Sequence, residues 1–263
     1  MSNQSLLKSL DGYLAQGDRF LLVLPREASL DAWAAMISLK MILEDEGKEV
    51  LSVCENPIPQ SFDFLNLQNA VVQEISADGD FIISIQTGDI EVEKVKYEKG
   101  EKQLDILITP KHGQLRDDMV SFRQSVGAFD AILSFDLPQL SHLGNIFENH
   151  TELFSKTPII NFSIHPSQVP VGKLNVCMPE KSALCEIVFD YLRFKGIDTI
   201  KEPLPTVLLA GLLSSTESFL NTHINAGGLD MAAQLQSMGA DHSSVIDYVF
   251  KQKPFLTLKI WGR

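Results

Sequence analysis

A short apolar run followed directly by a helix-spaced segment constrains the fold of this chain more than any other feature. Residues 19–24 (RFLLVL) have the continuous hydrophobicity of a strand buried in a parallel sheet, and apolar residues then recur with helical spacing from Asp31 to about Glu46. Gly47 suits a helix C-terminus, and 48–54 (KEVLSVC) predicts the next strand. This order predicts two parallel strands joined by a right-handed crossover.

The later parts of the chain repeat this alternation of buried strands and helices. Two further apolar runs, 129–135 (FDAILSF) and 158–164 (PIINFSI), predict buried strands separated by a helical stretch around 141–154. The C-terminal part predicts four helices, at 180–195, 204–220, 226–238 and 242–252. We therefore expect an α/β domain over 1–263, with a parallel sheet and helices on both faces.

The segment 70–126 has a different character and predicts an insertion into this domain. Three runs, 81–87, 89–97 and 103–109, alternate apolar and polar residues and are joined by turn sequences, which is typical of an antiparallel meander. The middle run changes phase, which predicts a β-bulge. An exposed antiparallel edge can pair with another chain, so a homodimer or a protein partner bound through this insertion is one hypothesis.

Composition narrows the classes of partner. The net charge of -12 disfavours broad contact with a nucleic-acid backbone, which requires clustered Lys and Arg. Three cysteines without a CxxC pair predict reduced thiols and a cytoplasmic location. The N-terminal segment has apolar residues at helical spacing but no long apolar stretch, so the sequence predicts neither a signal peptide nor a membrane contact.

Four segments carry the outline of a two-metal phosphoesterase site. They are LPREASLDAWAA (24–35), FDAILSFDLPQLSHLG (129–144), IINFSIHPSQVPVGKLN (159–175) and LLAGLLSSTESF (208–219). Their order and context resemble the DHH family of phosphoesterases, which includes exopolyphosphatases, oligoribonucleases and single-strand exonucleases. The resemblance covers about 19–56 and 127–260, and it implies a sheet whose loops converge at the C-terminal ends of the strands. It also implies a C-terminal substrate-binding domain, which we expect to be absent.

Most positions that this resemblance assigns to metal ligands carry other residues. Three groups that could bind a metal remain: Asp31, Asp136 and His165. At the other positions of the four motifs the resemblance implies residues that line the pocket, namely Pro25, Ser29, Ser163, Ile164, Ser215 and Thr216. No residue is assigned a catalytic role.

The altered ligand set predicts a loss of ordinary two-metal chemistry. Each Mn²⁺ or Mg²⁺ ion takes about six oxygen or nitrogen ligands, and three groups do not fix two such ions. We therefore expect a DHH-like protein that is catalytically inactive or impaired and that binds a phosphorylated small molecule or a protein partner. We expect no cofactor, and the resemblance implies Mn or Mg if the protein binds one.

Other interpretations of the same residues remain open. A working phosphoesterase could act on short oligonucleotides, nucleotides or polyphosphate with ligands recruited from His142, Asp130 or Glu217. Asp31 could be a first-turn helix residue, Asp136 a loop cap, and His165 a hydrogen-bond partner of either carboxylate. The spacing of Cys177 and Cys185 matches no zinc site, so both are predicted to be structural.

Overall fold

A computed structural model describes residues 2–65, 67, 70–75, 81–124, 127–166, 169–221 and 224–251, with the backbone alone for 81, 82, 122–124 and 251. The chain divides into two compact units, one formed by 1–75 with 128–263 and one formed by 76–127. We call them the sheet unit and the insertion unit.

The sheet unit supplies most of the secondary structure. Its N-terminal part contains α1 (Asn3–Gln16), β1 (Arg19–Val23), α2 (Leu30–Asp45), β2 (Glu49–Val53) and a 3-10 helix at Gln60–Leu65. The insertion unit contributes β3 (Phe81–Ile85), β4 (Val92–Lys99), β5 (Leu104–Pro110), a 3-10 turn at Asp117–Met119 and β6 (Val120–Gln124). The sheet unit resumes with β7 (Ala131–Phe135), a 3-10 turn at Leu140–Leu143, α3 (Asn145–Glu148), α4 (Thr151–Lys156), β8 (Ile159–Ser163), β9 (Leu174–Cys177), α5 (Leu184–Phe194), α6 (Leu204–Ser215), α7 (Ala226–Ser237), α8 (His242–Val245) and a π-helical segment at Ile246–Lys251.

Five parallel strands form the sheet in the order β2-β1-β7-β8-β9. Every residue of β7 and β8 is buried, as is typical of parallel strands that are covered on both faces. Along β1, Phe20 and Leu22 join the main hydrophobic core, whereas Leu21 and Val23 point to the opposite face and are also fully buried. The predicted α/β fold is confirmed, and β1, α2 and β2 begin and end within one residue of the predicted limits.

The helices over the core differ from prediction mainly at their ends. The helix predicted at 204–220 ends at Ser215, because Glu217, Ser218 and Phe219 follow with positive φ angles of 50°, 58° and 67°. The predicted helical stretch around 141–154 is broken into one 3-10 turn and two short helices. No helix among the described residues is long and apolar enough to cross a membrane.

The insertion unit consists of antiparallel strand pairs whose order differs from the expected meander. β3 pairs with β6, and β4 pairs with β5, so a hairpin is nested between the two outer strands. The β3–β6 pairing joins residues about forty positions apart, which local patterns do not reveal. A register shift between Val92 and Lys94 confirms the predicted bulge in the middle strand.

Candidate functional site at the C-terminal edge of the sheet

The sheet has a topological switch point between β1 and β7. The chain continues from β1 to β2 on one side and from β7 to β8 on the other, and ligands bind at such switch points in open α/β sheets. Here Arg26 crosses between the loops that follow β1 and β7: its N–H donates to the carbonyl of His142 at 3.0 Å, and its guanidinium pairs with Glu55. An added Cβ at Gly144 would overlap that guanidinium, so glycine permits the close approach.

Asp31 lies in the first turn of α2, and its carboxylate caps a different helix. Its side chain is 4% exposed, Oδ2 accepts the N–H of Leu184 at 2.6 Å, and Oδ1 accepts the N–H of Cys185 at 3.1 Å. These are the first two residues of α5, whose own N-cap residue, Ala183, has no capping side chain. Both oxygens of Asp31 therefore already serve as acceptors inside the fold.

The environment of Asp31 opposes its ionisation. Burial raises the pKa of the carboxyl from 3.8 to about 7, against the hydrogen bonds from Leu184 and Cys185, which lower it. The charge of Asp136 adds to the increase, which places the two carboxyls within electrostatic reach of each other.

Asp136 follows β7 directly and is held by the neighbouring strand. Its backbone has a φ of +46°, and its N–H donates to the carbonyl of Phe162 at 2.8 Å. The hydroxyl of Ser163 donates to Oδ1 at 2.8 Å and accepts the N–H of His165 at 2.9 Å. Burial raises the pKa of Asp136, whereas the Ser163 hydrogen bond and the charge of His165 lower it. The structure thus brings Asp136, Ser163 and His165 together.

The other motif positions have structural contacts of their own. Ser29 caps the N-terminus of α2 by accepting the N–H of Ala32 at 3.1 Å. Ser215 donates to the carbonyl of Ser182 at 2.7 Å, and Thr216 donates to the carbonyl of Leu212 at 2.7 Å. Pro25 is buried at the end of β1, and Ile164 packs against the core.

The residues considered as recruited ligands do not form a metal cluster. Asp130 lies before β7, at the opposite end of the strand from Asp136, where its carboxylate accepts the N–H groups of Asp18 and Arg19 at 2.7 and 2.9 Å. His142 and Glu217 are exposed. Within the described part of the chain, no group of three His, Cys, Asp or Glu side chains is arranged to hold a metal ion.

A cavity of about 510 Å³ opens beside Asp136, over the ends of β7, β8 and β9. Its walls include Leu137, Pro138 and Pro170, and Ser163 and His165 lie beside the carboxylate. Asn161, also in the lining, is occupied structurally: its Oδ1 accepts the Ser134 hydroxyl at 2.9 Å, and its amide donates to the Leu137 carbonyl at 3.2 Å. Among the described residues, the cavity surface is largely apolar, and Asp136 is the one carboxylate that lines it.

Sequence reasoning did not find a buried polar cluster behind this edge. Glu186 in α5 is 2% exposed, and its Oε1 accepts the N–H of Ser182 at 2.6 Å. The ammonium of Lys181 lies 3.5 Å from Oε2, and an added Cβ at Gly228 would lie 3.2 Å from Oε1. The sequence feature that indicates this cluster is the pair Gly227 and Gly228 at the start of α7, because glycines allow the helix to approach Glu186 closely.

Comparisons with known proteins agree at the level of fold. No family model and no curated protein matches the sequence. An exopolyphosphatase-related protein from Bacteroides fragilis has a similar structure with a TM-score of 0.71 and 15% identity, over 98% of this chain and 64% of that one. A candidate family II inorganic pyrophosphatase from Methanococcus jannaschii shares 12% identity over 88% of this chain and 60% of that one, with a TM-score of 0.47. The chain thus spans about two thirds or less of the length of either protein, and its α/β fold is similar to that of an exopolyphosphatase-related protein.

Proposed function

We propose that this chain is a DHH-like phosphoesterase-fold protein that does not use ordinary two-metal hydrolysis and that has kept the cleft for binding. The observation that carries this proposal is the capping of α5 by Asp31. Both carboxylate oxygens accept backbone N–H groups at 2.6 and 3.1 Å, so a metal ion at Asp31 would have to compete with the N-terminus of a buried helix. The residues present do not fit a pair of Mn²⁺ or Mg²⁺ ions.

The surroundings of Asp136 support the same conclusion. One oxygen of this carboxylate accepts the Ser163 hydroxyl, and a hydroxyl stands where the DHH signature implies a ligand. The motif positions Ser29 and Ser215 also bond to the protein backbone. Ser163, Ser29 and Ser215 thus each make a hydrogen bond within the fold, and bridging two ions requires several free carboxylates or imidazoles.

Calorimetric titration of the metal-stripped full chain with Mn²⁺ tests the proposal, with Asp136→Ala as the matched variant. We expect at most one weakly bound ion per chain and no Mn²⁺-dependent hydrolysis of pyrophosphate or short oligoribonucleotides. Saturable binding of two ions, lost in Asp136→Ala and accompanied by hydrolysis, would instead support the working phosphoesterase.

Contact through the insertion unit remains a separate prediction for this protein. Val95, Tyr97 and Leu104 are 63%, 76% and 60% exposed, and in the β4–β5 register Tyr97 pairs with Ile106 and Lys99 with Leu104. One face of this hairpin is therefore apolar and accessible, which is typical of surfaces that bind a protein. Sedimentation velocity over a range of concentrations tests for a homodimer.

A further inference from the structure

Within the described part of the chain, no Lys or Arg lines the cavity beside Asp136. The loops that follow β1, β7, β8 and β9 (24–30, 136–144, 164–173 and 178–183) contain three Lys or Arg residues, namely Arg26, Lys173 and Lys181. Phosphate recognition depends on Arg or Lys side chains or on several backbone N–H groups directed at the anion.

Each of the three cations is engaged with another group of the protein. Arg26 pairs with Glu55. Lys181 lies 2.7 Å from Asp190 and 3.5 Å from Glu186. The ammonium of Lys173 lies 5.9 Å from the centre of the Tyr13 ring, and Tyr13 belongs to α1. None of the three is among the residues that line the cavity in the described part of the chain.

Asp136 is the one carboxylate among the described residues that line the cavity. An ionised carboxylate in the lining repels a phosphate and attracts a cation. His165 is the one lining residue in the described chain that can carry a positive charge, and it interacts with Asp136 itself.

We propose that this cavity binds a small organic cation with an apolar body rather than a phosphorylated ligand. Asp136, fixed by Ser163 at 2.8 Å, accepts the ammonium N–H group, and Leu137, Pro138 and Pro170 contact the body. A cavity of about 510 Å³ is large enough for such a molecule. This inference rests on the proposed binding role of the same cleft and replaces the phosphorylated ligand that the sequence suggests.

Three probes that share one ring and differ in charge test the inference: benzylamine, benzyl alcohol and phenyl phosphate. Their binding to the metal-stripped full chain is measured by ligand-observed NMR titration. We expect benzylamine to bind most tightly, and Asp136→Asn to weaken it by roughly tenfold or more, because a charge-assisted hydrogen bond is lost. Asp45→Asn, at the other end of α2 from Asp31, removes the same charge away from the cavity and should leave all three probes unchanged.

A second variant keeps the test informative if Asp136→Asn fails to fold. Pro170 is exposed at the rim, so Pro170→Lys should place a cation beside the cavity, weaken benzylamine and strengthen phenyl phosphate. Tighter binding of phenyl phosphate than of benzylamine to the unaltered protein overturns the inference, as does the absence of saturable benzylamine binding. The benzylamine titration contains no metal ions. Binding of two Mn²⁺ ions in the calorimetric experiment would therefore refute the proposed function, whereas the benzylamine titration alone decides whether the cavity binds an organic cation.

Discussion

The sheet unit and the insertion unit both contain strands rich in β-branched and aromatic residues, yet these strands are buried in one and exposed in the other. In β7 every residue is buried, and Phe135 stacks on Phe162 with ring centres 5.0 Å apart. In β4, Tyr97 is 76% exposed although it occupies a regular position of an antiparallel ladder. Strand propensity therefore does not decide how much a strand stabilises the protein, because stability comes from what covers the strand.

An aromatic truncation in each unit should give the largest contrast. Phe135→Ala removes a fully buried ring from the core and should lower the free energy of unfolding by about 3–5 kcal/mol. Tyr97→Ala removes an exposed ring and should change it by less than about 0.5 kcal/mol. Urea unfolding followed by circular dichroism measures both, and equal losses would refute the comparison.

Packing between helices of the sheet unit predicts the next largest effect. An added Cβ at Gly211 in α6 would overlap the Cys185 sulfur and lie 2.8 Å from Cβ of Ala34, so Gly211→Ala should destabilise the protein by about 1–3 kcal/mol. Among the described residues, nothing beyond the helix's own nearby backbone and the two neighbouring residues lies within 4 Å of a Cβ added at Gly12 in α1, so Gly12→Ala should stabilise the protein by about 0.5–1 kcal/mol. A stabilising or neutral effect of Gly211→Ala would show that the helix contact at Gly211 is looser than described.

These contrasts also explain what the sequence could and could not predict. The limits of β1, α2 and β2 follow from local periodicity and from Gly47, and Asp136 was placed correctly after a buried strand. The capping of α5 by Asp31 joins residues about 150 positions apart, and the β3–β6 ladder also joins distant residues. Such contacts depend on tertiary packing, so a local pattern identifies the residue but not its partner.

The buried carboxyl of Asp31 should make stability depend on pH, whereas an exposed carboxyl in the insertion unit should contribute little to that dependence. The pKa of Asp31 is about 7 in the folded protein and 3.8 without the fold, so between these values the folded state binds a proton that the unfolded state has lost. This contribution to stability is fully present below about pH 4 and is lost as the pH rises through 7, by at most ~1.4 kcal/mol per pH unit.

Unfolding in urea at pH 4.5, 5.5, 6.5 and 7.5 measures this contribution for the unaltered protein and for Asp31→Asn. Across this range the free energy of unfolding of the unaltered protein should fall as the pH rises. In Asp31→Asn we expect this fall to be smaller, because the titrating carboxyl is absent. Asp105→Asn, at an exposed position in β5, is the matched control and should retain it. A pH dependence that is unchanged in Asp31→Asn would show that another group carries it.

Removal of the insertion unit should have the smallest effect on the fold of the rest of the chain. The structure divides between residues 75 and 76 and again between 127 and 128, so 76–127 can be replaced by a short Gly-Ser linker. Since β4 and β5 expose their apolar side chains, their loss should change the free energy of unfolding of the sheet unit by less than about 1 kcal/mol. Urea unfolding of the shortened chain measures this change, and Phe135→Ala in the same background should still produce its full loss. A large destabilisation by the deletion would show that the insertion unit supports the sheet unit. Retained stability with a changed sedimentation coefficient would indicate that the exposed hairpin takes part in self-association.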